Sequence, residues 1–217
     1  MPTLIGDKPK GRFVSILADG KLHETVPAGT EDAVEREYET SDGKKGKKWE
    51  RVYAELRGTV KKVEFWKGEY GDMIQLTFAD KTGEEQITLS QGIKGNFGED
   101  ILRKLPNLIP GKELWLKPYA FDDENGKPKR GVTFYQNGDK LTDFFRDEKG
   151  NKLHGYPEPD GDSTTYDSDD WAMYFTKARK FTVEYAKEHV LPKFDGEIEY
   201  EPEEIKYPDE DLGEQPF

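Results

Sequence analysis

The sequence predicts a mainly β protein: a small five-stranded barrel with a helix between its third and fourth strands, then an amphipathic helix and a disordered acidic tail. Three observations predict it. Between residues 49 and 136 short segments alternate apolar and polar side chains with period two. One stretch between them switches to helical spacing, and residues 195–217 have no periodicity at all.

The elements follow in order. GRFVSILADG reads as an extra N-terminal strand, and residues 21–48 as an irregular, charged approach with a Gly/Lys-rich end. In WERVYAELRGTV, Val52, Ala54, Leu56 and Val60 share one side and Tyr53, Glu55, Arg57 and Thr59 the other, the pattern of a half-buried strand. The alternation slips at Lys61 and Lys62 and resumes with Val63 and Phe65 inward, which marks a bulge in a bent strand. After the turn KGEYG, DMIQLTFA places Ile74, Leu76 and Phe78 inward; after DKTGE, EQITLS does the same with Ile87 and Leu89. These three strands form a meander. In NFGEDILRKLPNL, Phe97, Ile101, Leu102 and Leu105 recur at helical spacing, with Asn96 as cap and Pro106 as stop. KELWLKPYAF and RGVTFYQ, joined by DDENGKPK, supply the fourth and fifth strands, with Leu114, Leu116, Ala120, Val132 and Phe134 inward. Three strands, a helix and two strands is the order of an OB-fold barrel.

This core and its N-terminal extension occupy residues 1–146, with LTDFF placed to pair onto the barrel. Residues 147–168 read as an acidic, turn-rich linker. Residues 169–191 read as one amphipathic helix, with Trp171, Tyr174, Phe175, Ala178, Phe181, Thr182, Tyr185 and His189 on one face, Ser168 as cap and Pro192 beyond its end. Residues 192–217 read as disordered.

Charge is distributed unevenly. The formal net charge is −12. Residues 195–217 carry ten acidic side chains against Lys206, Glu158–Asp170 adds six acids and no base, and residues 171–194 carry five bases and two acids, so residues 1–157 are neutral. Within that body residues 44–67 hold nine bases and three acids. No apolar run approaches a membrane span, and the N-terminus has no secretory pattern, so a soluble chain is expected. The absence of cysteine removes disulfides, thiol nucleophiles and thiolate metal sites, compatible with a cytoplasmic location.

Read by parity, the outward side of the barrel strands collects Tyr53, Arg57, Lys62, Trp66, Trp115, Lys117, Tyr119, Phe121 and Tyr135. Aromatics interleaved with bases suit single-stranded nucleic acid: bases stack on the rings for about 1–3 kcal/mol each, and cations follow the phosphates. On this reading Trp66, Tyr70, Trp115 and Tyr119 stack, joined by Tyr53 and Arg57 on the same face. Lys44, Lys45, Lys47, Lys48, Lys61, Lys62, Lys127, Lys129 and Arg130 contact phosphate, the first four on a flexible arm. The competing reading buries the fourth-strand aromatics under the C-terminal helix or the N-terminal strand.

The chain ends DEDLGEQPF. An acidic segment closed by Pro216 and Phe217 resembles the tail of single-stranded DNA-binding proteins of bacteria and their viruses, which join an OB-fold to an acidic tail ending in an aromatic residue. Asp209, Glu210, Asp211, Pro216 and Phe217 carry the likeness. The long extensions and the inserted Leu-Gly-Glu-Gln look more like a bacteriophage-encoded member. The resemblance implies a protein of the bacterial host's cytoplasm that coats and protects single strands in replication, recombination or repair. It also implies a tail that competes for the basic groove and recruits partner proteins, and no cofactor.

Other classes fit less well. The histidines, His23, His154 and His189, lie in unrelated segments, and no HExxH, GxSxG or Walker motif accompanies them, so no enzyme is expected. DGDSTTYDSDD lacks the glycine and terminal glutamate of an EF-hand loop, and no metal site is expected. A DNA mimic would carry its negative charge on the folded surface. The remaining alternative is a non-catalytic OB-fold interaction or virion module.

Overall fold

A computed structural model describes residues 11–39, 43–68 and 71–194. The protein is mainly β, and the described residues form ten strands in one open sheet and two α-helices. The strands are β1 (Arg12–Ile16), β2 (Leu22–Val26), β3 (Val34–Glu39), β4 (Lys45–Tyr53), β5 (Leu56–Gly68), β6 (Gly71–Ala79), β7 (Gln86–Gly92), β8 (Glu113–Asp122), β9 (Pro128–Gln136) and β10 (Asp139–Leu141). Helix α1 (Asn96–Lys104) lies between β7 and β8, and α2 (Ser168–His189) follows the sheet. The sheet order is β10-β9-β8-β5-β6-β7-β1-β2-β4-β3.

The long strand β5 organises it. Its first residues pair with β8, Leu56 opposite Leu116 and Thr59 opposite Glu113, while Thr59–Gly68 pairs with β6. The register shifts between Val60 and Lys62, at the slip in the sequence pattern, and this bulge lets one strand serve both halves of the sheet. Inward residues Val60, Val63, Ile74, Leu76, Phe78, Leu89, Leu114, Leu116, Val132 and Phe134 form the core with Phe97, Ile101, Leu102 and Leu105 of the α1 segment.

The expectation of a closed five-stranded barrel meets an open sheet here. The third strand of the meander, β7, takes the N-terminal strand β1 as a parallel neighbour. The part of the β9 edge that β10 leaves open is occupied by α1: Asp100 Oδ2 accepts a hydrogen bond from Val132 N at 2.7 Å, and Lys104 Nζ donates to Val132 O. Asp100 and Lys104 are themselves paired at 2.7 Å and buried. A helix thus satisfies with two side chains the backbone groups that a strand would otherwise have met.

The N-terminal part is more regular than its composition suggests. Residues 21–48, expected to be irregular, contain β2, β3 and the start of β4, and the first predicted core strand breaks at Ala54–Glu55. Parity reverses across the break. Val52 and Ala54 are exposed and Tyr53 packs against the core, the opposite of the expectation. Two charge clusters hold this part together. On the inner side Arg12 forks onto Glu24 at 2.8 and 2.9 Å, and Tyr53 Oη donates to Glu24 at 2.7 Å. On the outer side buried Glu50 accepts two bonds from Arg36, and His23 lies 2.9 Å from Glu50 and 3.0 Å from Asp19. The turn between β1 and β2 reaches β8: Gly20 has φ of 73°, and a Cβ there would lie 2.4 Å from Ala120 N. Only glycine fits, so the curled sheet brings its N-terminal hairpin against β8.

Helix α2 is capped by Asp167 in a capping box with Asp170, in place of the expected Ser168. Its Ala178, Phe181 and Tyr185 pack with Phe144, Phe145 and Tyr156 in a second cluster, and Ala186 joins the main core. Residues 147–168, read as a linker, are rich in turns and tied to the helix: Tyr174 Oη donates to Pro157 O, and Lys177 pairs with Asp160 at 3.0 Å. Arg179 bonds Glu99 of α1 at 2.7 Å. No helix among the described residues is long and apolar enough to cross a membrane.

Two outcomes test this account. Lys104→Met leaves the Asp100 carboxylate and Val132 O without their cation, and urea unfolding should show a loss of about 3–5 kcal/mol, the cost of breaking a buried pair. The Glu50 carboxyl is held down to about 2, first by the hydrogen bonds from Arg36 and then, against its burial, by His23. A depressed carboxyl stabilises the fold above the ordinary carboxylate range and loses that contribution as pH falls toward 2. Glu50→Gln should therefore cost about 2–3 kcal/mol near pH 7, and its deficit against the unaltered chain should shrink between pH 4.5 and about 2.

Candidate nucleic-acid interface

The expected aromatic and basic residues come together on the outward face of β8 and β9. Alternation along β8 turns Leu114 and Leu116 into the core and Trp115, Lys117, Tyr119 and Phe121 out of it. Cross-strand neighbours complete the surface: Arg57 and Tyr135 beside Trp115, Thr133 beside Lys117, Gly131 beside Tyr119 and Lys129 beside Phe121.

The two ends of this row differ. At one end the Trp115 indole lies 5.2 Å from the Tyr135 ring and is covered by cations, with Arg57 Cζ at 3.9 Å and Lys117 Nζ at 3.6 Å from its centre. Glu55 holds both cations, at 3.0 Å from Arg57 and 3.7 Å from Lys117. At the other end Tyr119 and Phe121 are 37% and 58% exposed, with ring centres 5.7 Å apart. Tyr119 leans across Gly131, where a Cβ would lie 2.5 Å from its hydroxyl and 2.6 Å from Asp100 Oδ2. Burial and then the Asp100 carboxylate push this hydroxyl above its ordinary range, so it stays neutral. The result is a ring seated on bare backbone with its outer side toward solvent.

The β8–β9 loop supplies charge. Asp123 accepts from the backbone N–H of Asn125 and Lys127, both at 2.9 Å, and these bonds, with Lys129 at 3.7 Å, hold its carboxyl below the usual carboxylate range. Lys127, Lys129 and Arg130 are exposed around it. Lys127 extends from this tight, self-bonded turn; Lys129 stands on β9 beside Phe121, and Arg130, opposite Ala120, points to the other face of the strand.

The other expected contacts lie elsewhere. Trp66 is 45% exposed on the outward face of β5, near its turn with β6, and Lys62 on the same face is paired with Glu64 at 2.8 Å. Lys61 is half-buried at the bulge. The Tyr53 hydroxyl is bonded to Arg12 and Glu24, and its side chain packs against the core. The basic run 44–48 is no arm: Lys45, Lys47 and Lys48 sit on β4 opposite the acidic strand β3, paired with Glu39, Glu35 and Glu37, and Glu50, respectively. Lys44 immediately precedes that strand. Tyr70 and the tail residues Asp209, Glu210, Asp211, Pro216 and Phe217 lie outside the described residues.

Sequence reasoning undervalued Lys117, Phe121 and Tyr135, which strand parity alone puts on this face. It missed Phe13, exposed on β1 next to Thr88, because the place of β1 in the sheet is not written locally. Among the described residues no group of histidine and carboxylate side chains could hold a metal ion. Comparison with protein-family models, curated proteins and solved structures finds no match to this chain.

Gly131→Ala tests the seating of Tyr119. The added methyl should displace the ring and cost about 1–3 kcal/mol in urea unfolding, with a changed tyrosine environment in the near-ultraviolet circular dichroism.

Proposed function

We propose that the chain is a non-catalytic single-stranded DNA-binding protein that holds the strand across the outward face of β8 and β9. The observation that carries this reading is the exposed Tyr119–Phe121 pair with Lys129 beside Phe121 on the adjoining strand. Residues two apart on a strand are separated by about 6.5–7 Å, a spacing that extended, unstacked bases can follow.

Stacking on Tyr119 and Phe121 supplies affinity without sequence preference, while Lys127 and Lys129 meet phosphates. Trp115, under Arg57 and Lys117, fixes those cations at the edge of the path. The order β5–β6–β7, α1, β8–β9, with β5 shared between halves, supports an OB-type core in which the β8–β9 loop borders the ligand. On this reading the acidic segment 195–217 competes for the same cations, and its terminal Pro216 and Phe217 recruit replication or recombination proteins. The likeness of that ending to phage and bacterial proteins supports a role in coating single strands within a host cell. An interaction or virion module is the second reading, favoured by the indole of Trp115 being already covered.

Tryptophan and tyrosine fluorescence titrated with poly-dT tests the proposal. Binding should weaken with salt at a log–log slope no steeper than about −2.8 if the four cations Arg57, Lys117, Lys127 and Lys129 meet phosphate. Tyr119→Ala and Phe121→Ala should each cost about 1–3 kcal/mol of affinity, and Lys129→Gln should flatten the slope. A salt-insensitive signal, or none at low salt, would reject DNA coating.

A further inference from the structure

Tyr174, Ala178, Thr182 and Ala186 are buried along one side of α2, and positions 171 and 175 flank that side near the helix N-terminus. The cover does not extend fully over these flanks. Phe175 is 46% exposed and stacks on Trp171 at 5.7 Å, and Trp171 meets Tyr166 edge-on at 5.2 Å.

The border of this aromatic patch is acidic. Asp162, Asp167 and Asp170 accept hydrogen bonds from nearby backbone groups, Asp169 sits in the first helical turn, and none of the four has an ion pair among the described residues. From Glu158 to Asp170 the chain has no basic residue. Single-stranded DNA is repelled here, and so is the segment 195–217 with its ten acids.

We infer that the Tyr166–Trp171–Phe175 patch is a docking surface for a partner protein, which presents an apolar anchor flanked by lysine or arginine. Charge complementarity decides the class. An aromatic platform accepts leucine or methionine side chains, and the surrounding carboxylates select basic flanks and orient the approach. Because this surface is separate from β8 and β9, the protein can hold such a partner while its sheet face is occupied.

The test uses the full chain and two synthetic peptides of the same leucine and lysine content. One has leucines at i, i+3, i+4 and i+7, and the other has them permuted out of helical register. By calorimetry at physiological salt the registered peptide should bind, and the permuted one should bind at least about fivefold more weakly. Phe175→Ala should weaken the first peptide by about fivefold or more, as truncation of an interface anchor does. Asp169→Lys, which leaves the cap in place, should weaken it as well. Equal binding of both peptides would reduce the contact to bulk charge and overturn the inference. So would an unaffected Phe175→Ala variant with unchanged melting, which would move the contact to the acidic segment. Sedimentation of the full chain alone adds one further outcome: self-association abolished by Phe175→Ala would make a second copy the occupant, through a segment such as residues 1–10 with Leu4, Ile5, Lys8 and Lys10.

Discussion

The buried pair of Asp100 and Lys104 on the backbone of Val132 decides how the rest of the chain is arranged. Val132 faces Pro118, which has no N–H to offer, and its own N–H and C=O turn to the part of the β9 edge that β10 leaves open. Burying a carboxylate and an ammonium is costly unless both are paired and hydrogen-bonded, and here each has the other and one backbone group. This fixes α1 against β9 and fills the edge where a closing strand would lie. β7 then pairs with β1 instead, and the N-terminal hairpins extend the sheet. Helix α2 rests on the same support, through Arg179 and Glu99.

Much of the core was legible because period-two alternation reports which side of a strand is buried, whatever its neighbours are. Ile74, Leu76, Phe78, Leu89, Leu114, Leu116, Val132 and Phe134 are all inward. The bulge at Val60–Lys62 was legible for the same reason. The break at Ala54 was not, since Val52, Ala54 and Leu56 keep a perfect alternation through it. Only the pairing of Tyr53 with Leu22, on a strand thirty residues earlier, reveals that two strands meet there. Pairing partners distant in sequence leave no local period.

The site shows the same division. Trp115, Tyr119 and Lys129 share a face because they lie on one hairpin, and a hairpin is a local object. The run of lysines at 44–48 looks available because the whole of residues 21–48 reads as irregular, which gives Glu35, Glu37 and Glu39 no fixed place opposite it. Once β3 and β4 pair, those carboxylates stand opposite the lysines. The cation surplus of the strip is thereby largely cancelled on the folded surface.

Pairing alone does not remove a cation from use, and the strength of each pair decides which remain available. Arg36 and Arg12 each fork onto a carboxylate that is buried, Glu50 and Glu24, and releasing either would leave a charge without water or partner. Lys129 with Asp123, and Lys117 with Glu55, are single contacts at 3.7 Å between partly exposed groups, of a kind that contributes about 0–1 kcal/mol. Exchange of such a carboxylate for a phosphate costs little and is screened by salt in the same way. A polyanion can therefore take the cations of the β8–β9 face without disturbing the clusters that hold the sheet together. On the proposed reading, binding and folding draw on two separate sets of charges.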